Sequence, residues 1–364
     1  MDAQDPVLAR LVDRVDSARL QRKPLDIRGG GTKLFYGGAP LGEPLDMTGL
    51  AGITSYEPTE LVVTARAGTR LCDLEATLEE QGQCLPFEPP RFAAGGTLGG
   101  MVAAGLSGPA RASVGSVRDH VLGVTLLTGR SEVLTFGGQV TKNVAGYDVS
   151  RLMVGSLGVL GIICEVSLKV LPVSVATETL SFDWDESRAL RQLCSWASQP
   201  LPISASAWHA GRLHLRLGGA RAAVGAACGK LGGDRVAAAQ AKDWWTRVRD
   251  QREEFFLLDA ASIAAGEALW RLSVPAVTAP IELPGQQFIE WNGAQRWWKT
   301  TAAAAHVREA AARAGGHATL VRGADKSQGV FAPLNAVLMR VHHGLKQAFD
   351  PNRLFNPDRL YAGL

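Results

Sequence analysis

Two blocks of residues concentrate the chemistry this chain can do: Arg28-Gly29-Gly30-Gly31-Thr32, followed by Lys33, and Gly95-Gly96-Thr97-Leu98-Gly99-Gly100. Consecutive glycines reach positive φ without steric cost, and lacking Cβ they let backbone N–H groups converge on an anion. A pyrophosphate is the usual guest of such a nest. A third glycine-rich stretch, Gly155-Ser156-Leu157-Gly158-Val159-Leu160-Gly161-Ile162-Ile163, turns into an apolar strand. Together they point to a long ligand with phosphates at its middle, a dinucleotide such as FAD. The second block, continuing through Met101 to Gly105, is expected to open a helix whose N–H groups face that ligand.

The spacing excludes the two commonest nucleotide folds. The doubly wound fingerprint needs glycines at i, i+2 and i+5 after a strand. Gly29 and Gly31 satisfy the first two positions, but the third is Leu34. The phosphate loop of nucleotide triphosphatases fails at Gly229-Lys230, where Leu231 follows and Val224 replaces the first glycine.

The arrangement resembles the FAD-binding domain of the vanillyl-alcohol oxidase/p-cresol methylhydroxylase (PCMH) flavoproteins. The likeness rests on the RGGGT and GGTLGG blocks, on Thr141 through Val170 (TKNVAGYDVSRLMVGSLGVLGIICEVSLKV), and on the closing segment Phe349-Asp350-Pro351-Asn352-Arg353-Leu354-Phe355-Asn356-Pro357. It covers the first half well and the middle thinly. Within the family the chain is similar to the glycolate oxidase subunits, and to the smaller flavin subunit in particular. The resemblance implies an α+β fold: a PCMH-type FAD domain of two α+β subdomains over 1–172, an antiparallel α+β cap with helices on one face over 173–330, and a segment at 331–364 returning to the FAD domain.

It also implies the site. Arg28, Gly29, Gly30, Gly31, Thr32 and Lys33 would take the pyrophosphate, and Gly95, Gly96, Thr97, Leu98, Gly99, Gly100 and Gly105 would complete its cradle. Gly115, Ser116, Arg118 and Asp119 match a turn beside the flavin. Gly161 and Ile162 would meet the adenine end through backbone groups, and Asn356 belongs to the closing segment. Members that tether FAD place His or Cys in these loops. Neither occurs between Arg28 and Lys33 or between Gly95 and Gly105, so noncovalent FAD is expected.

The departure lies in the acid–base set. Family members that oxidise glycolate or D-lactate carry a histidine-rich motif with an adjacent Glu-His pair near a metal. The seven histidines here, His120, His209, His214, His306, His317, His342 and His343, include none beside a glutamate. No metal is therefore expected. Oxidising a 2-hydroxy acid needs a carboxylate anchor and a base for the hydroxyl proton. Arg322, Arg296 or Lys299 could anchor, and His317 or Tyr147 could be the base. For each, the plainer reading as a solvated cation or hydrogen-bonded core residue outweighs the catalytic one. The segment Ile289-Glu290-Trp291-Asn292-Gly293-Ala294-Gln295-Arg296-Trp297-Trp298 suits a binding hot spot or a buried sheet edge equally.

Helices are expected from Pro6 to about Leu20, along the stripe Leu71, Leu74 and Leu78, over Glu186 to Ser198, over Thr300 to Ala314 and over Pro333 to Phe349. Strands are expected at Leu61 to Ala65, Gly161 to Val170, Thr177 to Phe182, Arg212 to Leu217, Leu269 to Val274, Gln287 to Trp291 and His317 to Arg322. Val121 to Leu127 and Ser131 to Phe136 should form a hairpin. Of the 41 glycines, 25 fall at or before Gly161, while all nine tryptophans follow it. Two domains with different packing explain that division.

Composition sets the outer bounds. At 364 residues the chain exceeds one ordinary core. The charge balance, 38 basic against 35 acidic, includes no basic block, so nucleic acid is not indicated. The five cysteines are dispersed with no CxxC pair, which reads as reduced thiols filling the core and no iron–sulfur ligand set. No apolar run reaches the ~18 residues of a membrane span, and Met1-Asp2-Ala3-Gln4-Asp5 lacks a signal pattern. A cytoplasmic location is expected, with any attachment to the inner membrane made through a partner.

The leading functional expectation is an FAD-binding subunit of a glycolate oxidase or dehydrogenase. It would associate with a larger FAD-linked subunit holding the histidine motif and with an iron–sulfur subunit that passes electrons to membrane quinone. Two others stay open: a self-sufficient FAD-dependent dehydrogenase for a 2-hydroxy acid such as D-lactate, and a non-catalytic assembly subunit.

Overall fold

The computed structural model describes residues 5–138, 147–323 and 325–364. The first four residues and the Thr141–Gly146 portion of the family-like block lie outside them.

The chain opens with the helix Pro6–Gln21. Asp5 caps it, its Oδ1 accepting from Val7 N at 2.8 Å and Leu8 N at 3.4 Å, and Pro6 supplies the fixed φ of the first turn. Its stripe Leu8, Leu11, Val15 and Ala18 buries against the parallel pair Leu25–Arg28 and Glu43–Asp46. Next comes a five-stranded antiparallel sheet, in spatial order Ile53–Glu57, Val62–Arg66, Ile162–Lys169, Val121–Leu127, Val133–Gly137. The last two are the expected hairpin, paired from Gly123 with Gly137 to Leu127 with Val133. The helices Leu71–Glu80 and Leu98–Ala104 pack on this sheet through Leu71, Leu74, Leu78, Leu98, Met101 and Val102. This first half thus comprises two α+β layers.

An eight-stranded antiparallel sheet follows, ordered Asp234–Arg235, Ala176–Asp183, Arg212–Gly219, Ile203–His209, Gln286–Glu290, Gln295–Thr300, Ala268–Ser273, His317–Arg322. The helices Glu186–Ala197, Arg221–Leu231 and Ala304–Arg313 cover one face. The expectation of helices on one face only needs correction. Ala238–Arg249 lies on the other, with Trp244 against His214 at 4.0 Å and Trp245 donating to Thr179 Oγ1 at 3.0 Å. The reason is alternation: Leu213, Leu215 and Leu217 point to one side and His214 and Arg216 to the other, giving the strand two apolar or aromatic partners. The expected helix from Thr300 also starts later, at Ala304, because Gln295–Thr300 is a strand.

The second face meets the first half in a shared core of Tyr36, Ala104, Leu106 and Leu157 with Phe256, Phe288 and Trp297. Polar contacts fix it: Trp291 Nε1 donates to Gly108 O at 3.0 Å, and Arg216 pairs with Glu88 at 2.8 Å. The final helix, Ala336–Phe349, and the tail run back along the first half. There Leu354 and Phe355 join the core of the N-terminal helix. Only Cys164 and Cys228 of the five thiols are buried; Cys72 and Cys84 are half-buried and Cys194 is exposed, so core filling accounts for two of them.

Candidate functional site

A cavity with about 830 Å³ of empty space, solvent at its open mouth included, lies between the two layers of the first half. Its wall runs from Asp26 through Leu34, crosses Thr97, Gly99, Gly100, Ala103 and Ala104, and closes with Leu157, Gly158, Gly161, Ile163, Asn356 and Arg359. The strand Leu25–Arg28 delivers the 29–33 loop to the rim. Among the described residues, no intrachain hydrogen bond is donated by the backbone N–H groups of Gly29, Gly30, Gly31, Thr32 or Lys33. Lys33 adds a cation: burial lowers its ammonium to about 8, it has no carboxylate partner among the described residues, and its Nζ lies 5.8 Å from the Phe92 ring centroid. Arg28, by contrast, is already neutralised by the buried Asp26. Five open donors and one unpaired ammonium make this rim an anion receptor.

The glycines serve two different ends. A Cβ on Gly30 would overlap the Gly95 carbonyl, and one on Gly29 would overlap Thr97 Oγ1, so these two are needed for the loops to touch. Gly31 sits at φ 68° with nothing but Leu34 near its missing Cβ, at 3.7 Å, so its requirement is conformational. Beyond the loop, Arg359 donates to Tyr36 O at 2.8 Å and also to the carbonyls of Leu34 and Gly38. Asn356 is used up structurally: Oδ1 accepts from Ile27 N at 2.7 Å and Nδ2 donates to Leu157 O at 2.6 Å.

The second glycine block differs from expectation. The first N–H groups of Leu98–Ala104 do not face the cavity as free donors: Leu98 N binds Thr69 O at 2.8 Å, Gly99 N binds Ala67 O at 2.7 Å, and Gly100 N binds Thr97 Oγ1 at 3.3 Å. Thr97, Gly99 and Gly100 still line the wall. Leu98 is fully buried in the core. Gly95 and Gly96 face two other clefts, and Gly105 is the left-handed cap of the helix against Gly155. Gly115, Ser116, Arg118 and Asp119 also stand away. Ser116 and Asp119 close a capping box on each other, with Ser116 N to Asp119 Oδ2 at 2.7 Å, and Arg118 lines a separate cavity with Arg151 and His342. Ile162 points to the N-terminal helix while Gly161 and Ile163 face the cavity, as strand alternation demands. Arg359, Ile27, Leu157 and Gly158 line the wall and were missed as ligands; Leu157 and Gly158 sat unremarked within a motif already quoted.

The three catalytic candidates are not brought together. Tyr147 is 97% exposed, and His317 opens the edge strand that Arg322 ends. Arg322 stacks on Phe35 at 4.6 Å and donates to Phe256 O at 3.2 Å; burial lowers its guanidinium to about 10. None of them lines the cavity. Of the other anchors, Arg296 is fully buried, donating to Gly293 O and Thr278 O, each at 2.7 Å. Lys299 lies 5.8 Å from the Phe255 ring. The tryptophan-rich segment faces the interior, since Trp291, Trp297 and Trp298 are all buried.

Glu290 in that segment accepts from Trp297 Nε1 at 2.6 Å and Gln295 Nε2 at 2.9 Å, and burial pushes its carboxyl up to about 7. The folded protein therefore keeps a proton that the unfolded chain has released above about 4.5. Stability is expected to fall as pH rises from about 4.5 to about 7 and then level off. Glu290→Gln should be the more stable form at pH 8, by on the order of 3 kcal/mol, and the gap should close near pH 5. Denaturant melts of both proteins at the two pH values check this.

Comparison with known proteins fits this geometry. Over 354 residues the chain is 46% identical to glycolate oxidase subunit GlcE of Escherichia coli (strain K12), a match spanning 97% of each chain. The chain belongs to the GlcE family. Residues 8–137 match the FAD binding domain family, so the cofactor of this GlcE-family chain is FAD. Shorter matches reach a D-lactate dehydrogenase of Anaerostipes hadrus, at 33% identity over 44% of this chain and 34% of that one, and glycolate oxidase subunit GlcD of Bacillus subtilis (strain 168), at 31% over 48% and 37%. Among solved structures, an alkyldihydroxyacetonephosphate synthase shares the fold, with a TM-score of 0.65 at 17% identity, covering 96% of this chain and 74% of the other.

The cavity suits that cofactor. It has an apolar wall (Ala103, Ala104, Leu157, Ile163) and, on its rim, open N–H donors with an ammonium that has no carboxylate partner among the described residues, as a pyrophosphate requires. No helix of the described residues is long and apolar enough to cross a membrane.

Proposed function

We propose that this chain is the FAD-binding subunit of a glycolate oxidase that converts glycolate to glyoxylate, working with a larger FAD-linked subunit and an iron–sulfur subunit. The observation that carries the assignment is the 29–33 loop, whose unpaired N–H groups and Lys33 ammonium line a cavity in a chain aligned end to end with GlcE. Gly29 to Lys33 bind the pyrophosphate, Thr97, Gly99 and Gly100 pack beneath it, and Leu157, Gly158, Gly161 and Ile163 form the far wall. Attachment is noncovalent. Bound FAD supplies a two-electron acceptor that can pass electrons on singly. The chain's part is to hold that cofactor and exclude water from it. Residues 1–172 with 331–364 form the FAD half, and 173–330 the cap.

The flavin here relays electrons or supports assembly, with substrate oxidised on the larger subunit. Arg322, His317 and Tyr147 stand apart and outside the cavity, which supports relay over a self-sufficient dehydrogenase. The complex works from the cytoplasmic side, at the membrane only through its partners.

Anaerobic visible spectra of the isolated chain test both parts. Flavin bands that persist with glycolate, and bleach once the larger subunit is added, are expected. Bleaching by glycolate alone would overturn the relay. Absence of flavin bands even after incubation with FAD would overturn the loop assignment.

A further inference from the structure

The cofactor loop is held from behind by a residue of the other half. Lys326 lies in the segment that leaves the edge strand His317–Arg322, yet its ammonium donates to Phe35 O at 2.6 Å and Gly37 O at 2.8 Å. These carbonyls belong to the turn that directly continues the 29–33 loop. Arg359 grips the alternate carbonyls, Leu34, Tyr36 and Gly38, from the C-terminal tail. Neither cation has a carboxylate partner among the described residues. Burial lowers both; the Arg359 charge lowers Lys326 further, while Arg359 itself is raised by Asp26 and lowered by Arg28.

The carbonyls of 34–38 turn to the two cations, while the N–H groups of Leu34 and Tyr36 bind back to Gly31 O at 3.3 Å and Lys33 O at 3.0 Å, which ties the turn to the 29–33 loop. Lys326 does not line the cavity, whereas Arg359 does. Lys326, a partly desolvated cation with no carboxylate paired to it among the described residues, is also costly unless something anionic comes near.

We propose that Lys326 is a positioning residue for FAD: from the cap half it fixes the 34–38 turn, and through it sets how tightly the 29–33 loop holds the cofactor. FAD affinity and docking of the cap are then linked, and each strengthens the other by the same factor. This rests on the assignment of the 29–33 loop to the pyrophosphate.

Titration of the full-length apoprotein with FAD, followed by flavin fluorescence, tests it in Lys326→Met, Lys326→Arg and Lys33→Met, with the melting of each apoprotein recorded alongside. Lys326→Met is expected to weaken FAD roughly 10- to 100-fold, within the usual span of coupling between sites. Its apoprotein should melt like the parent, and Lys326→Arg should restore most of the affinity. Unchanged affinity in Lys326→Met overturns the proposal. So does a loss matched by an equal fall in apoprotein melting, or one that arginine fails to rescue, since either marks a merely structural role. Lys33→Met separates the two layers of inference: if it too leaves FAD affinity unchanged, the loop assignment fails; if it alone weakens binding, only the role of Lys326 fails.

Discussion

Gly30→Val is expected to abolish FAD binding, and Gly31→Ala, one residue on, to spare most of it. The two glycines differ in what fills the space of a side chain. At Gly30 any Cβ would fall on the Gly95 carbonyl. That neighbour is backbone, and the Gly96 that follows it is held at both its N–H and its carbonyl, Gly96 N to Ala93 O at 3.3 Å and Leu71 N to Gly96 O at 2.8 Å. It cannot swing away as a side chain would. Relief requires the two loops to part, which opens the rim that carries the five open N–H groups. Overpacking of this kind costs on the order of 3 kcal/mol even where some relaxation is available. At Gly31 the added methyl meets open space, and the penalty is that of an L-residue at positive φ, about 1–2 kcal/mol. Purified Gly30→Val should show no flavin bands after incubation with FAD, and Gly31→Ala should keep them with weakened affinity. Equal flavin content in both would mean that the contact between the loops does not shape the site.

The same contrast shows what the sequence could and could not tell. The glycine blocks were legible as loops of an FAD domain because three of them stand in order with a matching terminal segment. The purpose of each glycine was not, since Gly29 and Gly30 answer to residues some 65 positions away, which no local spacing reveals. The second block misled for a related reason. A helix following glycines suggests free N–H groups, but here Thr69 and Ala67, brought alongside by the neighbouring strand, had already taken them. Strands with one apolar face, such as Arg212–Gly219 with its alternating leucines, were read correctly. Gln295–Thr300 was not, because Trp297 packs towards the FAD half and Trp298 towards the helix Ala304–Arg313, leaving no alternation to see. Lys326 and Arg359 give no signal at all: each is an ordinary cation in a polar segment until the fold carries it some 290 or 320 positions back along the chain.

Lys346→Met should have the largest effect among changes remote from the cavity. The Lys346 ammonium is almost wholly buried and spends its three protons on Val159 O at 2.7 Å, Asp350 Oδ2 at 2.9 Å and Phe355 O at 2.9 Å. Asp350, fully buried, accepts in addition from Leu354 N at 3.0 Å and Phe355 N at 2.8 Å. This knot sets the course of 354–356, where Leu25 N donates to Leu354 O at 2.7 Å and Asn356 N to Leu25 O at 3.0 Å. Methionine matches the stem of lysine but leaves the Asp350 charge uncompensated, and breaking a buried pair from one side costs about 3–5 kcal/mol. Removing both partners, as in Lys346→Met with Asp350→Leu, relieves the stranded charge but strands the Leu354 and Phe355 N–H groups instead, so it should recover only part of the loss. An exposed pair, Arg14 with Glu43 at 3.2 Å, is the control: solvent screens it, and Arg14→Ala should leave the urea midpoint where it was. Because the same tail carries Asn356 and Arg359 to the cavity, Lys346→Met should lower FAD affinity together with the urea midpoint, whereas Lys326→Met should lower affinity alone. A Lys346→Met protein that melts like the parent and binds FAD as well would show that the tail is seated by its apolar residues, Leu354 and Phe355, without help from the buried charges.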